Sequence, residues 1–222
     1  VGSMAPGAVA DFQAWLLAHG AVTDAVRVVD FADGRGLAAT RDLAPGDLVL
    51  AVPRHLFLDG PRAMESEVGV RARAACADIT VAEVLCVQLV HEISLGAASF
   101  WAPWLRLLPR AYTSAPYWGE RELVALPHAL AEEVRAEQNH LRARHGAICA
   151  ALRDGDGADC ELATELTWAR WRHAWCSVHS RAASLGGSGG CPSGRGQSGR
   201  GQACLVGQAM GGPHASASAP PR

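Results

Sequence analysis

The chain has 222 residues and a formal net charge of −2, from 20 Lys and Arg against 22 Asp and Glu. That length holds one large domain or two small ones, and the balanced charge supplies no bulk drive toward nucleic acid or an anionic membrane. No run approaches about 18 uncharged apolar residues, so a membrane span is not expected.

The N-terminus lacks the charged and apolar regions of a secretory signal. It opens on Val1, which is expected of a fragment or of a non-native Val1-Gly2-Ser3, and residues 1–10 are expected to be disordered. Val9 to His19 then reads as a helix, with Phe12, Trp15, Leu16 and His19 on one face and Gly20 at the stop. Residues 26–31, 37–43 and 47–52 read as three short strands. Turns centred on Asp33-Gly34-Arg35-Gly36 and Ala44-Pro45-Gly46-Asp47 separate them, the pattern of an antiparallel meander. Gly34 to Ala39 also fits G-x-G-x-x-A, the dinucleotide fingerprint. That motif needs a helix opening from it, and Pro45-Gly46 arrives too soon to allow one. A helix over Leu37 to Leu43 would restore the nucleotide reading.

Thr80-Val81-Ala82-Glu83 is a capping box, opening a helix to about Leu95 that is apolar over most of its surface and should be buried. An aromatic-rich stretch from Ser99 to Pro109 follows, and its rings are expected in the core. Leu130, Val134, Leu141, Ile148 and Leu152 recur at helical spacing over residues 127–152. Asp154-Gly155-Asp156-Gly157 reads as a solvated linker, lacking the later glutamate of a calcium loop. In the next helix Trp168, Trp171, Trp175 and Val178 share a face, and Arg181 closes it. His173, Cys176 and His179 lie on one side of that helix, but a fourth metal ligand is not evident. The seven cysteines form no C-x-x-C pair; their odd count points to reduced, mostly buried thiols in an intracellular protein. From Gly186 the chain is rich in Gly, Ser, Ala and Pro, with a doubled Ser-Gly-Arg-Gly-Gln, and should stay disordered as a passive tail.

Two stretches carry a family resemblance. Asp33-Gly34-Arg35-Gly36-Leu37, Ala39-Thr40-Arg41-Asp42-Leu43 and the apolar run ending in Pro53-Arg54 resemble the opening of a SET domain. The likeness is to the branch of the Rubisco large-subunit methyltransferase and the actin-histidine methyltransferase. Phe100 to Pro109 resembles that branch's helical insert, and Trp168 to Arg181 resembles its helix ending in a Ser/Thr-Arg pair. The resemblance implies an α+β partial SET fold: a small antiparallel meander, a mainly helical insert and a disordered C-terminal tail. It divides the chain into an incomplete SET domain over 11–182 (11–60 N-terminal part, 61–166 insert, 167–182 return helix) and a tail over 183–222. It implies S-adenosylmethionine (SAM) as cofactor, with the adenosine part cradled by Asp33, Gly34, Arg35 and Gly36 and the carboxylate met by Arg181. The guanidinium fork suits a carboxylate. The expected partner is a protein with a lysine or histidine acceptor, with no nucleic acid, membrane or metal required.

The family continues after the arginine with an Asn-His segment and a catalytic tyrosine. Here the single asparagine, Asn139, precedes His140 in the insert, and Tyr112 and Tyr117 lie upstream as well. The chain is therefore expected to be an N-terminal half that binds SAM weakly at most and transfers no methyl group by itself. A non-catalytic interaction module is the alternative, and a nucleotide-binding fragment a third. Apolar surface on the meander should be left uncovered. Limited trypsin digestion should cut at Arg195 and Arg200 first and leave a product ending near Arg181. Protection of both sites would show an ordered tail.

Overall fold

Helix α1 (Ala8–Ala18) starts one residue before the expected Val9, and residues 8–10, expected to be disordered, belong to it because Ala8 and Phe12 are buried. The computed structural model describes residues 7–32, 34–154, 159–184 and 203–205. Gly20, at φ 84°, ends α1 in the left-handed region, as the sequence predicts.

Strands β1 (Val26–Phe31) and β2 (Gly34–Ala39) form an antiparallel hairpin from Val26↔Ala39 to Phe31↔Gly34. The reversal falls between Phe31 and Gly34, so Gly34 and Gly36 are strand residues rather than the turn expected of them. No helix opens at Gly36, which removes the dinucleotide reading. β2 also stops at Ala39, where the Thr40 hydroxyl donates to the Asp24 carbonyl (2.6 Å).

The third expected strand, 47–52, does not form. The turn before it does: Gly46 sits at φ 96°, and the Asp47 carboxylate accepts from Ala44 N (3.1 Å) and Arg41 (2.8 Å). Beyond it the described residues offer one bridge, Val22↔Ala51, and a strand needs a ladder. Leu48, Val49 and Leu50 are left exposed, as is Leu37 on β2. The uncovered apolar surface expected of this region is therefore present.

A two-residue strand, β3 (Leu58–Asp59), leads into α2 (Gly60–Glu65) and α3 (Glu67–Ala75). Asp59 caps α2 through Arg62 N (2.8 Å), and Ser66 caps α3 through Gly69 N (3.0 Å). The central helix is α4 (Val81–Leu95). Val84, Leu85, Cys86, Val87, Leu89 and Val90 are each 0% exposed, with α2, α3 and later helices packed around them. Val81–Ala98 has the length and composition of a membrane-crossing stretch. Its middle, Val84 to Val90, belongs to the core, while Val81 and Leu95 are exposed. Short helices α5 (Ala102–Leu105) and α6 (Glu120–Val124) follow. The long α7 (His128–Asp154) buries Val134, Leu141, Ile148 and Leu152, as expected. Leu130 is exposed and Ala131 takes the inward place, because stepping back three residues from Val134 holds the buried face better than stepping back four. Helix α8 (Cys160–Glu165) is capped by Asp159, which also pairs with Arg71 of α3.

Helix α9 (Trp168–Arg181) packs on α4 and α7. Trp171 is fully buried and Val178 nearly so, while Trp168 and Trp175 are half-buried at the edge of the same face. Strand β4 (Ala182–Ser184) follows directly, and β5 (Ala203–Leu205) lies between β3 and β4, antiparallel to both. Three residues of the expected tail are thus a strand, the one Ala-Cys-Leu run in a stretch otherwise dominated by small and polar residues. The rest of that expectation, and those for residues 1–6 and the 155–157 linker, fall outside the described residues. Of the described cysteines, Cys76, Cys86, Cys149 and Cys176 are buried thiols and Cys160 is exposed.

The capping box at Thr80 forms as read, with Glu83 N to Thr80 Oγ1 at 3.2 Å and Thr80 N to Glu83 Oε2 at 2.8 Å. Arg144 of α7 grips the same carboxylate with Nε (2.7 Å) and Nη2 (3.0 Å), and reaches Asp78 with Nη1 (2.9 Å). Burial pushes the Glu83 carboxyl up, but the hydrogen bonds from Arg144 and Thr80 outweigh it and hold the group below its ordinary 4.5. The stability it contributes is therefore complete above pH 4.5 and lost as pH falls through the lower folded value. Arg144→Met should cost about 2 kcal/mol at pH 7, less than for a fully enclosed pair because Arg144 is partly exposed. Urea melts from pH 7 to 3 should show the gap between variant and wild type closing on acidification; a constant gap would exclude the ion pair as its source.

Candidate cofactor site

The residues expected to meet a cofactor lie on two separate elements. Gly34, Arg35 and Gly36 run along β2, with backbones paired to Phe31, Asp30 and Val29 of β1. Asp33 lies outside the described residues. Arg181 is the last residue of α9, which packs on α4 and α7 rather than on the hairpin. An apolar pocket opens between α1 and the hairpin, lined among others by Trp15, Leu16, Val28, Leu37 and Leu50. Leu37 is its one contribution from the G-x-G-L stretch, and Arg181 is not part of its wall.

Around Arg181 the local chemistry is well defined. Its Nη1 donates to the Tyr112 hydroxyl (3.0 Å) and to Ser180 Oγ (2.8 Å). Ser180 donates onward to the Cys176 carbonyl (2.5 Å). Tyr112 lies 2.7 Å from Ser177 Oγ, and Ser177 donates to the His173 carbonyl (2.9 Å). A hydroxyl has one proton, so with Ser177's committed to His173 the Tyr112 hydroxyl is the donor between them. The order is fixed: Arg181 to Tyr112, Tyr112 to Ser177, Ser177 to the α9 backbone. Burial pushes the Tyr112 hydroxyl above its usual value, with Ser177 and Arg181 pulling the other way, so the ring carries its proton at neutral pH. The Arg181 guanidinium also lies over the Tyr112 ring, 5.2 Å from its centroid.

Sequence reasoning singled out Arg181 for the cofactor and His173 only as a metal-type side chain, and gave Tyr112 and Ser177 no role. Ser177 stands one helical turn before Arg181, a spacing visible in the sequence; Tyr112 comes from 69 residues upstream. The three metal-type side chains turn elsewhere: His173 Nε2 to the Pro109 carbonyl (2.7 Å), Cys176 Sγ to the Ser114 hydroxyl (3.4 Å) and His179 Nδ1 to the Trp175 carbonyl (2.9 Å), with its ring stacked on Trp175. Among the described residues no cluster of three or more metal-type ligands occurs. His145 and Cys149, 3.3 Å apart, do not make a nucleophile either. His145 Nε2 faces the Leu166 carbonyl (2.7 Å) and so carries a proton there, and burial pushes the thiol up.

No family model matches the chain. It is 29% identical over 157 residues to human SET domain-containing protein 4, covering 68% of this chain and 35% of that protein. It is 30% identical over 126 residues to the pea chloroplastic Rubisco large subunit N-methyltransferase, covering 56% and 24%. It is 33% identical over 120 residues to the actin-histidine N-methyltransferase of Rhinolophus ferrumequinum, covering 51% and 19%. The chain therefore spans about a third or less of these relatives. Among solved structures, the SET domain of LSMT bound to lysine and AdoHcy superposes with a TM-score of 0.72 at 23% identity, over 92% of this chain and 44% of that one. Rubisco LSMT bound to sinefungin and monomethyllysine gives 0.67 at 25% identity, over 81% and 41%. The likeness to SET-domain methyltransferases of the Rubisco branch thus holds in sequence and in fold, over their N-terminal portion.

Ser177 is 0% exposed and joins the Tyr112 hydroxyl to the α9 backbone. Ser177→Ala should lower stability by about 1 kcal/mol, because it strips the half-buried Tyr112 hydroxyl of its acceptor. Chemical denaturation followed by tryptophan emission reads this directly, and an unchanged midpoint would exclude the directed chain.

Proposed function

We propose that the chain carries the cofactor-facing N-terminal portion of a SET-type, SAM-dependent protein methyltransferase, with a protein lysine or histidine as acceptor. The observation that carries this is Arg181: a guanidinium pinned at one corner by a half-buried tyrosine, at the end of α9, in a fold that matches SET domains bound to SAM analogues. That donor chemistry suits a carboxylate. Arg181 would hold the amino-acid end of SAM, and the backbone of the Asp33-Gly34-Arg35-Gly36 stretch would face the adenosine end. Bound there, SAM would supply a sulfonium methyl to a neutral acceptor nitrogen, whose lone pair would form the N–C bond in line as the C–S bond breaks and its electron pair leaves with the thioether sulfur.

The walls matter because such a transfer depends on alignment, worth up to about 7–11 kcal/mol in well-oriented systems. After Arg181 these 222 residues contain no asparagine and no tyrosine, the residue types that the family resemblance assigns to the rest of the site. Assayed as this chain alone, the protein should bind SAM weakly and transfer no methyl group. A non-catalytic interaction module is the second reading, favoured by the exposed Leu48-Val49-Leu50 run. Calorimetric titration with SAM, followed by incubation with labelled SAM and a panel of proteins, separates them. Weak binding that Arg181→Ala abolishes supports the cofactor reading, and no binding at millimolar SAM would sink it. Methyl incorporation into any protein would overturn the claim that the chain alone is inactive.

A further inference from the structure

Resting on that reading of Arg181, we propose that Tyr112 is a positioning residue for it. The Tyr112 hydroxyl holds the Nη1 corner of the guanidinium and so sets the plane in which it meets a cofactor carboxylate. Nη1 carries two hydrogens, one donated to Tyr112 and one to Ser180. With both held, the guanidinium cannot turn without breaking a hydrogen bond.

Tyr112 is itself fixed on several sides. Its hydroxyl donates to buried Ser177, and its ring lies 5.3 Å from His173 and 6.1 Å from Tyr117. His173 is anchored in turn on the Pro109 carbonyl, three residues before Tyr112. Tyr117 lies under the Arg172 guanidinium at 4.0 Å. The insert thus reaches across to set the angle of a side chain that belongs to the return helix. Arginine rather than lysine is required for such an arrangement, since a planar guanidinium held at one nitrogen has its whole plane set, whereas an ammonium has no plane to set.

The test uses the full 222-residue chain with ¹⁵N-labelled arginine, Arg181 being assigned by its loss in Arg181→Lys. Wild type should give separate Nη1 and Nη2 signals, merged in Tyr112→Phe by free rotation of the guanidinium. Affinities for SAM and for 5′-methylthioadenosine, which keeps the sulfur and adenosine but lacks the carboxylate, provide the second readout. Tyr112→Phe should weaken SAM by about three- to tenfold, the size of one hydrogen bond to a charged group, and leave 5′-methylthioadenosine unchanged. Ser177→Ala, which loosens Tyr112 without removing it, should give a smaller loss of the same kind. Unchanged SAM affinity in Tyr112→Phe, or equal loss for both ligands, overturns the proposal. Arg181→Ala with full SAM affinity sinks instead the reading of Arg181 on which it rests.

Discussion

The Glu83 carboxylate is the constraint on which the rest of the structure depends. It is buried at the head of the central helix, and a lone buried charge there would cost several kcal/mol. Three groups satisfy it together: the Thr80 amide, the Thr80 hydroxyl and the Arg144 fork. The first two set where α4 begins. The third ties α4 to the middle of α7, which fixes the rotation of a 27-residue helix about its own axis. Once α4 and α7 are set, the groove that receives Trp171 and Val178 is set, and with it the end of α9 where Arg181 stands.

Much of this was legible because local chemistry decided it. A capping box, a C′ glycine and tryptophans three and four residues apart are short-range signals, and α1, α4 and α9 follow them closely. The strands were harder. Gly34 and Gly36 have the composition of a turn, but the pairing of β1 with β2 across Phe31↔Gly34 places them inside the ladder. The 47–52 run has the alternation-poor, apolar character of an inner strand, yet a strand exists only with a partner, and composition cannot supply one.

The site was legible by half. Arg181 carries its own signature, a Ser-Arg pair closing an amphipathic helix, whereas Tyr112 lies in a loop just beyond the stretch whose rings read as core. What makes Tyr112 distinctive is a hydroxyl placed against Ser177 and Arg181, a meeting of segments far apart in sequence. The family likeness brought the cofactor class with it, but the direction of the hydrogen-bond chain came from the geometry of two hydroxyls and a carbonyl. The Leu130 expectation failed for a related reason: periodicity defines a face to within one residue, and packing chooses between neighbours.

The hydropathy of α4 has a consequence in time rather than space. During synthesis the helix emerges with only α2 and α3 behind it to cover one side. Its other large contact, α9, begins roughly seventy residues later, which at ribosomal speeds of about 5–20 residues per second is a delay of some 4–15 s. For those seconds a stretch with the hydropathy of a bilayer span stands half uncovered. The nascent chain is therefore a substrate for whatever binds apolar helices first, and the yield of folded protein depends on how fast translation delivers Trp171.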